Sequence, residues 1–565
     1  MPNYVPGVGS YSADLMIVGE APGRYENNLK EPFVGPTGQI LNDLLFKAGI
    51  SRAECYLTNV VKFQPPMNDM SRLDLIGVDL QKSIEELWEN EIKVLKPKCI
   101  LAVGNYAFEA LTGITVRDKK GKPCGIMDYR GSILRAIDGE TKVVPTIHPA
   151  ALFSHAATSD DDDSYSGGLE YTWLKLIESD VSRAVEESKT RELNLPSRDL
   201  MIAHNSLDVF RFFREYEHLS KAAMDIESVN CVPVCVGFAF TRHHAISIPL
   251  YRAVGNVIIT DMGDNELDEI WRLVDSKLRS LQLVGQNIKY DEYKLTLAGF
   301  GDRRFRSFNV VSDTLIKTRV IFPEMPRKKL NDISSLWTRE PFYKEEGKEF
   351  KFGKSKISQL LLYNAKDCAV EIEVDEEQEK DLIILSEHYG VDLIDYYYNY
   401  MMKKHKFYLR MENIGFDVDK ERKKELKDKY TKMEEEVHKR LIERVGHEVN
   451  VKSYPQIFNL LYKEMKFKAL KRSPTSEDSI VRLLANHAKT DEKKAILTDL
   501  LEERRIRDQK SRYINFTPDY DGTCKTNYNI SSTETCRSST GILKKPIRPK
   551  KIGLAFHTIS AHGRL

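Results

Sequence analysis

Asp225-Ile226-Glu227-Ser228 is the stretch on which the reading of this chain turns. Residues two apart on a strand point to the same side, so Asp225 and Glu227 set two carboxylates on one face. Two hard oxygen donors side by side suit a divalent cation, although a solvated strand face carries alternating acids equally well. Later motifs tip the balance towards the cation. Gly285-Gln286-Asn287-Ile288-Lys289-Tyr290-Asp291 follows, and then Tyr363-Asn364-Ala365-Lys366-Asp367, inside an apolar run from Leu360 to Val370. Tyr363 and Asp367 are four apart, and a helix places both on one face.

At these residues the chain resembles the DEDD 3′→5′ proofreading exonucleases, in the version with tyrosine in the third motif, as fused to family A DNA polymerases. Ser312-Asp313-Thr314-Leu315 and Lys329-Leu330-Asn331-Asp332-Ile333 look like that family's intervening helices. The resemblance implies an RNase H-like exonuclease domain over 197–385 that cuts single-stranded DNA at its 3′ end. Asp225, Glu227, Asp291 and Asp367 would hold two Mg²⁺ or Mn²⁺ ions about 3.5 to 4 Å apart, Asp225 bridging them. Tyr363 would orient the attacking water, and Asn287 would position DNA. Ser228 departs from the family's usual threonine but keeps a hydroxyl.

The chain has 565 residues, enough for about three domains with their own cores. Its 85 basic and 84 acidic side chains nearly cancel, so local clusters must mark any nucleic-acid surface. Eight scattered cysteines without Cys-x-x-Cys spacing predict reduced thiols. No apolar run is long enough for a membrane span, and Met1-Pro2-Asn3-Tyr4 lacks the layout of a signal peptide.

Residues 1–190 alternate apolar strands, Leu15–Val18, Tyr56–Val61 and Cys99–Gly104, with helical patterns, which predicts an α/β/α domain on a parallel sheet. Gly19-Glu20-Ala21-Pro22-Gly23 fits neither a dinucleotide fingerprint nor a Walker loop. This turn, with Glu26, Pro32-Phe33-Val34-Gly35, Thr58-Asn59-Val60-Val61-Lys62, Arg130-Gly131 and Pro145-Thr146-Ile147-His148-Pro149, resembles the family 4 uracil-DNA glycosylases. The resemblance implies a flipped-base pocket: Phe33 stacks, Asn59 reads the base edge, His148 contacts the developing oxyanion and Leu152 wedges the DNA. Any carboxylate help must come from Glu20 or Glu26, because Ala21 stands where other glycosylase families have a water-activating aspartate. Glu26 is also a candidate for discrimination at C5. The family's iron-sulfur cluster needs four cysteines; residues 1–54 have none and Ser83 stands at the third position, so no cluster is expected. A uracil reader, or a glycosylase selective at C5, follows.

The acidic tract Asp160–Asp163 reads as a solvated loop, Trp173–Ala184 as a closing helix and Ser188–Pro196 as a linker. Arg242-His243-His244 is placed at a hairpin turn, without ligand spacing. Beyond 386 the pattern turns helical and resembles the family A polymerase thumb, over 386–514, through Ser453-Tyr454-Pro455-Gln456-Ile457, Thr475-Ser476-Glu477 and Lys510-Ser511-Arg512-Tyr513-Ile514. Residues 515–565 look like the opening of a palm, with Arg537, Lys544 and Lys545 as DNA contacts.

The expected class is therefore multidomain α/β followed by a mostly helical region. The domain order resembles that of DNA polymerases from Bacillus phages whose DNA contains hydroxymethyluracil, truncated before the palm's catalytic aspartates. That resemblance implies single-stranded 3′ ends and primer-template DNA as partners, phage replisome proteins beside them, no membrane, and the cytoplasm of the infected bacterial host. A reading from another class is a non-polymerising DNA-binding or uracil-sensing accessory protein in replication or repair.

Overall fold

The computed structural model describes the chain except residues 1, 119–120, 122, 154–170, 230–231, 255–256, 301–307, 326–328, 345–356, 469–472, 519–521, 531–536 and 543–565. Asp160–Asp163, Lys544 and Lys545 lie outside the described residues.

The first sheet is built from β1 (Val8–Gly9), β2 (Leu15–Gly19), β3 (Tyr56–Asn59), β4 (Cys99–Val103), β5 (Leu134–Arg135) and β6 (Lys142–Thr146), in the order β1-β3-β2-β4-β6-β5. The four inner strands are parallel, and every residue of β2 and β4 is buried, as expected for strands covered on both faces. One covering layer contains the helix Tyr171–Glu187, whose Ile177, Val181 and Ala184 recur at helical spacing against Leu15, Ile17 and Leu101. The other layer packs Leu87, Trp88 and Leu111 against Met16, Val18 and Ile100. The strand order reverses at β2, between β3 and β4, and opens a crevice at the carboxyl ends of the strands.

The second sheet takes β7 (Asp199–Ile202), β8 (Lys221–Val229), β9 (Val232–Thr241), β10 (His244–Pro249), β11 (Gln282–Gly285) and β12 (Val310–Asp313), in the order β12-β11-β8-β9-β10-β7. Strands β8, β9 and β10 are antiparallel, and β11 runs parallel to both β8 and β12. The helix Ile357–Tyr389 crosses one face of this sheet. A Cβ at Gly237 would stand 2.6 Å from Cys368 Sγ and 2.7 Å from Asn364 Oδ1, so glycine permits that close crossing. His243 is exposed at the turn, whereas His244 is half-buried, its Nδ1 2.8 Å from the Tyr216 hydroxyl.

Beyond Tyr389 the chain is mostly helical. The helices Lys420–Val445 and Asp491–Gln509 pack together, and Leu441, Ile457, Leu461, Leu497 and Leu500 form their own buried cluster. Arg537 is exposed just before the strand Ser539–Ile542. Among the described residues, no helix is long and apolar enough to cross a membrane.

Candidate functional site

Two sites emerge, one on each sheet. In the second domain β8 turns Asp225 and Glu227 to the same face, and the helix Ile357–Tyr389 brings Asp367 to them. One carboxylate oxygen from each of these three lies within 4.8 Å of the others. The ladder between β8 and β9 shifts register between Glu227 and Ser228, a bulge at the end of the acidic pair. Asp291, in the first turn of the helix Lys289–Ala298, is buried beside them, and its carboxylate accepts the Ile226 N–H. The loop before it is held by Asp313, whose carboxylate accepts the N–H groups of Asn287 at 3.1 Å and Ile288 at 3.2 Å. Asn287 itself is exposed, with φ +56°.

Four neighbours carry no obvious mark in the sequence pattern. Asn364 Nδ2 donates to Asp225 Oδ2 at 2.9 Å, and the Ser247 hydroxyl donates to Asn364 Oδ1 at 2.8 Å, which fixes the amide. The Tyr343 hydroxyl donates to Asp367 Oδ1 at 2.6 Å. Lys344 Nζ donates to the same oxygen at 2.7 Å and to the Tyr363 hydroxyl at 2.6 Å. Glu371, one turn beyond Asp367, adds another buried carboxylate. Only Asn364 stands inside a motif; Tyr343, Lys344 and Glu371 reach the centre through tertiary packing.

The charge is crowded. Burial first, and then Asp367, pushes Asp225 up to about 7 against the pull of Lys344 and Asn364. Burial and neighbouring carboxylates hold Glu227, Asp291 and Glu371 well above the ordinary range. An all-oxygen donor set that cannot comfortably ionise by itself fits a hard divalent cation, Mg²⁺ or Mn²⁺. Asp225, Glu227 and Asp367 would hold it, with Asp291 close by.

A stability test follows. A carboxyl whose pKa is raised by folding adds stability at low pH, and that stability drains as pH climbs through the folded value. For Asp225 the window runs from about 4, the unfolded value, to about 7. At pH 8 in EDTA, Asp225→Asn therefore melts higher than wild type, at roughly 2–4 °C per kcal/mol of relief. Calorimetry that finds the variant melting lower would refute the charge-crowding account.

The second site is the crevice of the first sheet, a cavity of about 460 Å³ lined by Glu20, Glu26, Phe33, Asn59 and His148 among others. Asn59 ends β3, level with Gly19 on β2. A Cβ at Gly19 would stand 2.3 Å from Asn59 Oδ1 and 2.7 Å from the Phe33 ring, so the missing side chain makes the room. Arg52 pins the Phe33 loop through the carbonyls of Phe33 at 3.0 Å and Pro32 at 2.6 Å. The Ala150 N–H donates to His148 Nδ1 at 3.1 Å, which leaves Nε2 to carry the proton of the neutral ring. Burial lowers the His148 pKa although Glu20 and Glu26 oppose it. A neutral Nε2–H is a donor suited to a developing oxyanion.

One sequence-based role needs correction, and a second residue has an added structural duty. Leu152 is 2% exposed and packs in the core with Leu41 and Ile177, so it cannot wedge DNA. The 3₁₀ turn Pro149–Phe153 points Leu152 inward and leaves Phe153 at the surface. Glu26 lines the crevice, but its two oxygens accept the N–H groups of Gly23 at 3.0 Å and Gly35 at 3.4 Å. It braces the walls of the crevice it lines, with lone pairs on both oxygens still able to accept a further hydrogen bond. Glu20 accepts the Tyr106 N–H at 3.0 Å, at the start of the helix Asn105–Thr112.

Through the fold and crevice of its first domain the chain belongs to the uracil-DNA glycosylase superfamily, whose profile matches residues 6–165. The type-4 uracil-DNA glycosylase of Pyrobaculum aerophilum is 34% identical over 179 residues, 30% of this chain and 85% of that enzyme. The DNA polymerase of Bacillus phage SP01 is 25% identical over 308 residues, 51% of this chain and 31% of the polymerase. Among solved structures, the POL domain of Pol1 from M. smegmatis, in complex with DNA primer-template and dNTP, gives a TM-score of 0.43 at 13% identity. That alignment covers 60% of this chain and 54% of the other.

Proposed function

We propose that this chain works as a family A phage DNA polymerase component, with a 3′→5′ exonuclease in its second domain and a uracil-binding first domain. The observation that carries the nuclease is the convergence of Asp225, Glu227 and Asp367 within 4.8 Å of one another, with Asp291 and Tyr363 in electrostatic reach of them. Similarity to the phage SP01 polymerase over 51% of the chain supports the replicative setting.

Divalent ions bound there would supply an activated water and offset charge on the phosphoryl oxygens. The chain's own groups do the rest. Asn364 keeps Asp225 aimed, while Tyr343 and Lys344 keep Asp367 aimed. Tyr363 stays protonated because burial and Asp367 raise its pKa, so its hydroxyl orients the nucleophile without ionising. Lys344 adds a positive charge beside the place where negative charge accumulates. In Mg²⁺ the purified chain should shorten 5′-labelled single-stranded DNA stepwise, and an inverted 3′-terminal nucleotide should block it. Internal cuts, or equal attack on the blocked strand, would overturn the reading.

In the first domain Phe33 stacks on a flipped uracil, Asn59 pairs with its edge and His148 Nε2–H donates to a carbonyl oxygen. Removing the edge reader leaves buried polar atoms of the base unpaired, which costs about 1–3 kcal/mol. Asn59→Ala should therefore weaken binding to a uracil oligonucleotide by roughly 10- to 100-fold. Anisotropy titrations with uracil, hydroxymethyluracil and thymine oligonucleotides check this; equal binding of uracil and thymine by wild type would sink it.

A further inference from the structure

One segment ties the two sites' domains together. Ser335, in the helix Leu330–Trp337 of the second domain, accepts a hydrogen bond at 2.9 Å from Arg130 Nη1 of the first. Arg130 is itself buried and paired with Asp180, at 2.9 Å between Nε and Oδ2. Gly131 adopts φ +70°, and a Cβ there would stand 3.2 Å from the Ser335 carbonyl oxygen, so the domains approach at a point that requires glycine. Seven residues past Ser335, the Phe342 ring lies on Tyr129 with centroids 4.5 Å apart, and the Phe342 N–H donates to Ser132 Oγ at 3.1 Å. The next two residues are Tyr343 and Lys344, whose polar ends both reach Asp367.

We propose that Phe342, clamped by the first domain, is a positioning residue for the metal centre of the second, fixing Tyr343 and Lys344 against Asp367. The proposal rests on the nuclease reading of that centre. Consecutive residues share a backbone, so a seat that immobilises the Phe342 ring and N–H fixes where the next two side chains begin. Each of those side chains meets its partner through a short, geometry-dependent hydrogen bond. Lys344 has a second consequence: its ammonium covers oxygens of Asp367 that an incoming cation needs. Loosening the strap therefore moves two quantities in opposite directions. Turnover falls because Asp367 and Tyr363 lose their orienting partners, while metal binding tightens because the competing ammonium departs.

The test uses the full chain, with Mn²⁺ binding read by electron paramagnetic resonance and kcat measured on single-stranded DNA. Phe342→Ala should lower kcat by about tenfold or more. It should also tighten the Mn²⁺ Kd by about threefold or more. Phe342→Tyr, which keeps the ring, should restore both values. Tyr129→Ala removes the same contact from the first domain's side and should reproduce both changes; it decides alone if Phe342→Ala does not fold. A general loss of structure would weaken Mn²⁺ binding together with kcat, and that result, or an unchanged Mn²⁺ Kd in both alanine variants, overturns the proposal. If the wild type lacks nuclease activity, the functional reading fails, yet the Mn²⁺ affinities still decide the strap.

Discussion

If the proposed nuclease reading holds, Asp225→Ala combined with Glu227→Ala should remove metal-dependent shortening of single-stranded DNA, by on the order of 10³-fold or more. These residues supply two of the three carboxylates whose oxygens lie within 4.8 Å of one another. What remains is Asp367, already engaged by Tyr343 and Lys344, with Asp291 and Glu371 outside the close cluster. A single engaged carboxylate cannot anchor a pair of cations. The loss does not come from unfolding, since removing two crowded acids relieves the metal-free fold. Uracil binding in the first domain serves as the control and should be unchanged. Residual activity within tenfold of wild type would place the nuclease centre elsewhere.

Asp375→Ala gives the largest loss of stability, about 3–5 kcal/mol. Asp375 lies on the helix Ile357–Tyr389, is fully buried, and accepts hydrogen bonds from Lys317 Nζ at 2.6 Å, from Lys221 and from Ser312. Burial alone would raise its pKa, but Lys317 and Lys221 outweigh it and hold the carboxyl below its usual value. Lys317 is also fully buried, and without Asp375 it keeps, among the described residues, Glu379 as its acidic partner, at 2.9 Å. A buried ammonium left with a single, half-exposed acidic partner is the costly half of such a pair, so Asp375→Leu with Lys317→Met should recover most of the loss. The sign with pH follows from the depressed carboxyl: its contribution is complete above about pH 4 and is lost as pH falls through the folded value. Urea denaturation of the two variants checks the result, and an Asp375→Ala loss under about 1 kcal/mol would contradict the pairing argument.

Much of this architecture is legible because local pattern and tertiary role coincide. The buried runs Leu15–Gly19 and Cys99–Val103 read as covered parallel strands, since their flanking segments have helical spacing. Asp225 and Glu227 interrupt an apolar strand at a two-residue spacing, and Tyr363 and Asp367 repeat at one helical turn, so each pair declares its face. Asp367 meets Asp225 across 142 residues of chain, and only the ordered series of motifs suggests it. Leu152 fails because its role came from the resemblance alone, and the 3₁₀ turn that carries it buries Pro149 and Leu152, three apart, on one side. Glu26 does line the crevice, and its bracing of Gly23 and Gly35 is not legible in the sequence, because an acid in the first turn of a helix is as useful to backbone N–H groups as to a ligand. Lys344 and Phe342 announce nothing at all, because their partners lie in another element or another domain.

Arg130 and Ser335 are 205 residues apart in the chain, and that separation sets an order of events during synthesis. At about 5–20 residues per second a ribosome needs roughly 10–40 s between them. The seat for Ser335, with Arg130 already neutralised by Asp180 and Gly131 already turned, can therefore be finished long before its occupant emerges. Asp367 and Tyr363 arrive later still. The centre formed by Asp225, Glu227 and Asp367 is thus completed late in this part of the nascent polypeptide, against a first domain whose residues have long since been made.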